Sequence, residues 1–228
     1  MAGQPERTMH VRFERSDAGI APICVAILAG GKSRRMGRDK ALLRIGSRTL
    51  LEIVAERVMA VADELFVVAS NGECYSELGF RVVPDLEPGG GSLGGIYSAL
   101  SAAVCEQCLI VGCDMPFLNG DLLRFMVNLP RDYDALVPTL AGERSDQGSG
   151  STYETLHAIY SRSALPVIER RLTAGQLKIA DILPELRVRE LDEPTARRFD
   201  PELRSFFNAN SPEDLALIER AFSLDLRR

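Results

Sequence analysis

The sequence predicts an α/β protein: a single domain in three layers, α/β/α, with helices covering both faces of a mostly parallel sheet. Two observations carry that prediction. Short continuous apolar runs, the pattern of strands buried on both faces, recur along the chain, and segments with apolar residues at helical spacing separate them. The turns that leave the first and the later runs bring Gly30-Gly31 and Gly112-Cys113-Asp114 to the sheet edge. In open sheets of this kind ligands bind outside the carboxyl ends of the strands.

The elements follow in order. Residues 1–22 are polar and are expected to form a disordered extension; the domain proper is expected to span residues 23–222. Ile23 to Ala29 is a short apolar run and reads as the first strand. Thr49 to Ala62 places Leu50, Ile53, Val54, Val58 and Val61 on one helical face, and Leu65 to Ala69 reads as the next strand. Phe80 to Val83 is a third strand and Leu93 to Val104 a helix. Cys108 to Val111 and Ala135 to Val137 are further strands, Gly142 to Thr152 reads as a loop, and Leu156 to Tyr160 resumes a strand pattern. Ser211-Pro212 before Glu213-Asp214 is a helix start with a capping side chain and a first-turn proline, and Leu215, Ile218 and Phe222 form its apolar stripe.

Composition limits the function classes. The chain has 228 residues, 46% hydrophobic and 26% charged, with a net charge of −5. A chain of this size buries about 70% of its extended surface, so no disulfide or metal staple is required. The acid excess argues against general nucleic-acid or anionic-membrane binding, which Lys and Arg in excess would supply. No apolar run approaches the roughly 20 residues that span a bilayer, and charges interrupt the first 22 residues, so a cytoplasmic location is expected. Five cysteines favour reduced thiols. Cys105 and Cys108 form one CxxC, which as a redox or zinc site would need a helix start or a second ligand pair.

The densest chemical signal is LAGGKSRRMGRDK, Leu28 to Lys40. Glycines let a backbone turn with its N–H groups inward, a concave nest for phosphate oxygens, and the cations around them supply charge. Lys occurs only at positions 32, 40 and 178, so two of the three lie in this segment. Gly31-Lys32-Ser33 resembles the end of a P-loop, but that motif's leading glycine would fall at Ala26, inside the strand. Gly89 to Gly94 fits GxGxxG, yet a dinucleotide turn leaves the first strand directly, and here Asp85 to Pro88 intervenes after a later strand.

Cys113-Asp114-Met115-Pro116 puts a carboxylate at the ligand edge. Mg²⁺ asks for one or two carboxylates plus substrate phosphate oxygens, a role Asp114 suits; the plain alternative is a turn-capping aspartate. Asp85 offers two acceptor oxygens that suit a guanine edge, or is a turn residue beside Pro84. The two histidines, His10 and His157, lie in the polar extension and in a strand pattern, which argues against a Ser-His-Asp or Cys-His enzyme.

With LAGGKSRRMGRDK, Asp85, GGGSLGGIYSAL, VGCDMPFL, LHAIYSR and FFNANSPEDL in this order, the chain resembles the molybdenum cofactor guanylyltransferases, over about residues 23 to 222. The resemblance implies a Rossmann-like fold of the nucleotidyltransferase type. It implies GTP binding by Leu28, Ala29, Gly30, Gly31, Lys40 and Asn71, with Asp85 near the base, Mg²⁺ on Asp114, and phosphate contact by Arg35. It places Asn208 and Asn210 close to the metal or the pterin side, Lys178 on the pterin substrate, and Arg35, Lys40 and Asp114 in catalysis. The reaction implied joins the terminal phosphate of molybdopterin, with or without molybdenum, to the α-phosphorus of GTP and releases pyrophosphate. Molybdoenzyme-maturation proteins are the further partners implied.

The chain departs from the family pattern at three places. It reads Ala69-Ser70-Asn71 after its second strand, Gly91-Ser92-Leu93-Gly94-Gly95 without the usual proline, and Thr155 where a proline precedes LHA. These bear on base specificity more than on reaction class. The alternatives are a related enzyme using CTP on molybdopterin or GTP on another phosphorylated metabolite, and a non-catalytic nucleotide-sensing protein.

Overall fold

The computed structural model describes residues 21–29, 39–70, 72–76, 78–141 and 151–225. The extension expected over residues 1–22 therefore lies outside the described residues, positions 21 and 22 apart. β1 (Ile23–Leu28) is buried along its whole length. After a 3₁₀ turn over Lys40–Leu42 comes a small hairpin, β2 (Arg44–Ile45) with β3 (Arg48–Thr49), and then α1 (Leu50–Met59). Thr49 caps α1 reciprocally: its Oγ1 accepts from the Glu52 N–H, and the Glu52 carboxylate accepts from the Thr49 N–H at 2.6 Å. Such a cap stabilises a helix by about 1 kcal/mol.

β4 (Glu64–Ala69), α2 (Glu73–Ser76), β5 (Arg81–Pro84), α3 (Gly91–Ala102) and β6 (Gln107–Gly112) complete the alternating half. α4 (Gly120–Val127) follows, with Asn119 Oδ1 accepting from two N–H groups of its first turn. The second half holds β7 (Ala135–Ala141), β8 (Ser151–Tyr153), β9 (His157–Ser161), α5 (Leu165–Thr173), β10 (Val188–Asp192), α6 (Glu193–Arg197) and α7 (Pro212–Asp225).

The main sheet runs β10-β7-β9-β6-β1-β4-β5, with β8 paired to β7. β1, β4, β5 and β6 are mutually parallel, and β10 is parallel to β7. β9 runs antiparallel to both β6 and β7, so a reversed strand sits inside the sheet. The reason is local. β8 already runs antiparallel to β7, and after only three residues β9 continues in the same direction along the earlier part of β7. The loop expected at 142–152 ends earlier than the spacing suggests: Ser151 and Thr152 belong to β8, and residues 142–150 lie outside those described.

The period-two alternation of β1 divides the core. Ile23, Val25 and Ile27 pack with Leu51, Val54 and Val58 of α1 and Leu122, Leu123 and Met126 of α4. Cys24, Ala26 and Leu28 pack on the opposite face with Leu93, Ile96 and Leu100 of α3 and Ile168 of α5. A third cluster, Ile45, Leu50, Ile53, Ala209 and Ile218, fixes α7 to the outer side of α1, with Leu215 and Phe222 packed against it as the apolar stripe predicts. Cys105 faces Cys24, with their sulfurs 2.7 Å apart, and Cys108 is the β6 residue in register with Cys24. The CxxC thus lies in the core, and no cluster of three metal-ligating side chains occurs among the described residues. None of their helices is long and apolar enough to cross a membrane.

His157 occupies β9 with no exposed surface, its ring 4.8 Å from that of Phe206. Neither ring nitrogen has a hydrogen-bond partner among the described residues. Burial pushes its pKa down to about 4, against a smaller opposing pull from the Ser205 backbone and Asp200. A histidine whose folded pKa lies below its unfolded value of about 6.5 leaves stability intact above 6.5 and removes it as pH falls, because only the unfolded chain gains the proton. From pH 7.5 to 5.0 the native state should lose about 2 kcal/mol through this residue. Urea unfolding at both pH values should show that loss in the native protein and its disappearance in His157→Leu; equal pH dependence in the two proteins would refute it.

Candidate active site

The carboxyl ends of four parallel strands are laced together by backbone hydrogen bonds. The Ala29 N–H donates to Val68 O, the Cys113 N–H to Leu28 O, and the Asp85 N–H to Ala69 O. The exits of β1, β4, β5 and β6 therefore stand at fixed separations, and what they carry becomes one surface. From the far end of the chain, the Ala209 N–H donates to Asp114 O at 2.8 Å and brings the FFNAN segment onto the same edge.

Three predicted residues meet there. Lys40 Nζ donates to Asn210 Oδ1 at 2.9 Å and lies 3.6 Å from Asp114 Oδ2. The Lys40 side chain is 14% exposed and that of Asp114 24%. Burial raises the Asp114 carboxyl above the usual aspartate range, and the Lys40 ammonium pulls it back part of the way. The result is a charged pair at the border between core and solvent, whose ammonium suits an anion and whose carboxylate suits a cation. With no three-carboxylate or thiolate cluster among the described residues, a cation held here would complete its shell with oxygens of a bound ligand.

Each member is held from behind. Asp39 caps the turn that starts at Lys40, its Oδ1 accepting from the Ala41 N–H at 3.0 Å, and its other oxygen accepts from the Tyr75 hydroxyl. The Asp214 carboxylate accepts from the Asn210 and Ser211 N–H groups, both at 2.8 Å, while Ser211 Oγ accepts from the Asp214 N–H, a reciprocal cap at the start of α7. Those N–H donors, Asn210 first, lower the Asp214 pKa. The PED of the terminal motif thus orients the asparagine before it.

Asp85 leaves β5 into the turn before α3. Its Oδ1 accepts from the Glu87 N–H at 3.1 Å and lies 3.2 Å from Ser98 Oγ, which itself accepts from the Leu86 N–H. The glycine-rich start of α3 exists for close packing: a Cβ on Gly94 would lie 2.9 Å from Glu87 O, and one on Gly95 would lie 3.1 Å from the Leu28 side chain. That agrees with the sequence argument against a dinucleotide turn.

The remaining expected residues divide. Leu28 and Ala29 end β1 beneath the site, both nearly buried. Asn208 directs its side-chain N–H to Phe206 O at 3.2 Å. Lys178 is 74% exposed, pairs with Asp181 at 3.4 Å, and lines a cleft of about 440 Å³ with Ser92, Thr152, Tyr153 and Thr155. Asn210 is not among the residues that line this cleft. Gly30, Gly31, Arg35 and Asn71 lie outside the described residues.

Sequence reasoning passed over Asp39, Tyr75, Ser98, Gly112 and Asp214. Gly112 carried a signal, since it ends β6 two residues before the carboxylate. A Cβ there would stand 2.7 Å from Asp114 Oδ1, inside contact distance. The atom it meets is the end of a side chain, which rotation relieves at low cost to the fold. Gly112→Ala should therefore lower turnover at least tenfold while shifting the urea midpoint little, because a misdirected charge costs catalysis more than packing. A variant as active as the native protein would show that the Asp114 rotamer is immaterial.

The chain matches the family model described as the MobA-like NTP transferase domain over residues 25–189. It is 40% identical over 189 residues to a probable molybdenum cofactor guanylyltransferase of Pelotomaculum thermopropionicum, covering 83% of this chain and 88% of that protein. It is 37% identical over 188 residues to the molybdenum cofactor guanylyltransferase of Syntrophotalea carbinolica, covering 82% and 86%. Among solved structures it resembles molybdopterin-guanine dinucleotide biosynthesis protein A of Archaeoglobus fulgidus, with a TM-score of 0.72, 31% identity, and 87% and 98% of the two chains covered. A 2-C-methyl-D-erythritol 4-phosphate cytidylyltransferase of Thermus thermophilus shares the fold alone, at 21% identity and a TM-score of 0.65 over 88% and 98% of the chains. With the strand-edge site and these likenesses together, the chain belongs to the MobA-like nucleotidyltransferases and is an enzyme of that family.

Proposed function

We propose that the chain transfers GMP from GTP to the terminal phosphate of molybdopterin, with or without bound molybdenum, giving the guanine dinucleotide form and pyrophosphate. The observation that carries this reading is the meeting of Lys40, Asp114 and Asn210 at the carboxyl ends of β1 and β6. The names of the relatives, molybdenum cofactor guanylyltransferases at 37% and 40% identity, support the choice of nucleotide and acceptor.

In the reaction an acceptor phosphate oxygen bonds to the α-phosphorus while the bond from that phosphorus to the β-bridging oxygen breaks, and pyrophosphate carries the electron pair away. A phosphate monoester has a second pKa of about 6 and is largely ionised near neutrality, so the attack needs no general base. His157, buried in β9, is in no position to serve as one. Catalysis then rests on alignment and neutralisation of charge. Lys40, already desolvated, exchanges its contact with Asn210 and Asp114 for the triphosphate. Gly30, Gly31 and Arg35 are assigned to the same phosphates, with Leu28 and Ala29 at the end of β1 beside them. Asp85 and Asn71 are assigned to the nucleoside, and Asn208, Asn210 and Lys178 to the acceptor.

The site suits Mg²⁺, for which Asp114 is the protein ligand; when bound, the cation supplies charge neutralisation at the phosphates. Asp114→Ala should cut turnover about a thousandfold with a much smaller loss of GTP affinity, since removing one transition-state electrostatic group costs on that order. Lys40→Ala should raise KM for GTP at least tenfold. Pyrophosphate release with molybdopterin and either GTP or CTP measures both. Turnover with CTP alone would reassign the nucleotide, and saturable GTP binding with no release under any acceptor would point to a sensor.

A further inference from the structure

Tyr75 lies on α2, which consists of only four residues, and its side chain is 1% exposed within the core layer that holds Ile27, Ala29 and Ala41. A position that served packing alone would need no hydroxyl, and a buried phenol must find a partner. This one finds two. Its oxygen lies 3.2 Å from Ala29 O, where the chain leaves β1, and it donates to Asp39 Oδ2, where the chain returns immediately before Lys40. One proton serves both acceptors, with the carboxylate, being charged, taking the larger share. Burial also raises the phenol's pKa well above its ordinary value, which keeps the donor protonated.

The second oxygen of Asp39 is committed to the Ala41 N–H at 3.0 Å, so the carboxylate is fixed at both ends. The turn over Lys40–Leu42 takes its orientation from that carboxylate, and the Lys40 backbone begins at the next peptide bond. We propose that Tyr75 is a positioning residue for nucleotide binding: its hydroxyl joins the end of β1 to Asp39 and thereby sets where the Lys40 ammonium stands beside Asp114 and Asn210. The inference deepens the functional reading above and rests on it only for the identity of the ligand.

Tyr75→Phe removes the hydroxyl and keeps the ring that fills the core. Lysines occur only at positions 32, 40 and 178, so labelling of the ligand-free protein with an amine-acylating reagent, read peptide by peptide by mass spectrometry, resolves Lys40 without any nucleotide. In the variant, Lys40 should be labelled about threefold faster, while the exposed Lys178, the internal control for folding, is unchanged. The Kd for GTP with Mg²⁺ should rise about fivefold, with kcat at saturation within twofold. In a Lys40→Ala background the same substitution should change Kd by less than twofold, because its effect runs through that ammonium. Unchanged Lys40 labelling overturns the proposal, as does a Kd penalty that adds in full to that of Lys40→Ala. Faster labelling in a protein that binds no GTP would leave the positioning role standing and sink the nucleotide assignment instead.

Discussion

A lysine ammonium and an aspartate carboxylate 3.6 Å apart, each at most a quarter exposed, are the constraint around which the strand edge is arranged. At an effective dielectric constant near 20 such a pair attracts by on the order of 4 kcal/mol, and withdrawing the two charges from water costs a comparable amount. The net contribution to folding is therefore small. What the pair retains is two charges already stripped of much of their water. In the reaction proposed above, a triphosphate arriving with a cation would find both partners desolvated in advance, so binding would not bear that cost again.

Keeping such a pair in place requires rigid supports, and they come from four separate stretches of chain. The backbone bonds that join the exits of β1, β4, β5 and β6 fix the platform. Asp39 orients the lysine turn, Asp214 holds Asn210, and the Ala209 N–H ties the terminal segment to Asp114. All four of these supports are backbone-to-carboxylate or backbone-to-backbone hydrogen bonds, which lose little rotamer freedom when formed. The glycines contribute by absence: without side chains at Gly112 and Gly94, the Asp114 carboxylate and the Glu87 carbonyl occupy volume that a Cβ would take.

Much of this was legible in the sequence, for identifiable reasons. β1, β4 and β6 are continuous apolar runs because both faces are covered, and α1 and α7 carry stripes at helical spacing. β10 escaped notice because Arg189, Glu190 and Asp192 break its apolar pattern, as a strand at the sheet's edge paired to β7 alone allows. The reversed direction of β9 was hidden as well, since an apolar run looks the same in either orientation, and β9 takes its direction from β8, which already runs back along β7. Of the site, Lys40, Asp114 and Asn210 could be read from motifs, but their mutual contact could not, since Lys40 and Asn210 stand 170 positions apart. Asp39 and Tyr75 are 36 positions apart, and neither residue type signals the pairing by itself.

In the function proposed above Asp85 reads the base, and that role depends on how much of its carboxylate the turn consumes. The Glu87 N–H occupies one lone pair of Oδ1 at 3.1 Å and fixes the plane of the group. Ser98 lies 3.2 Å from the same oxygen, but its single proton has a nearer acceptor in Gly94 O at 2.8 Å, one helical turn back. The serine therefore acts mainly as an acceptor for the Leu86 N–H and draws little on the carboxylate. A carboxylate has about four lone-pair sites, so Asp85 keeps capacity on both oxygens while its orientation is already set. An edge with two adjacent N–H donors, as guanine presents, matches that geometry. Cytosine at the same edge offers a single exocyclic amine beside acceptors, which would leave one carboxylate oxygen facing a like dipole. Under that proposal, the turn that anchors Asp85 leaves free the acceptor sites that a guanine edge would use.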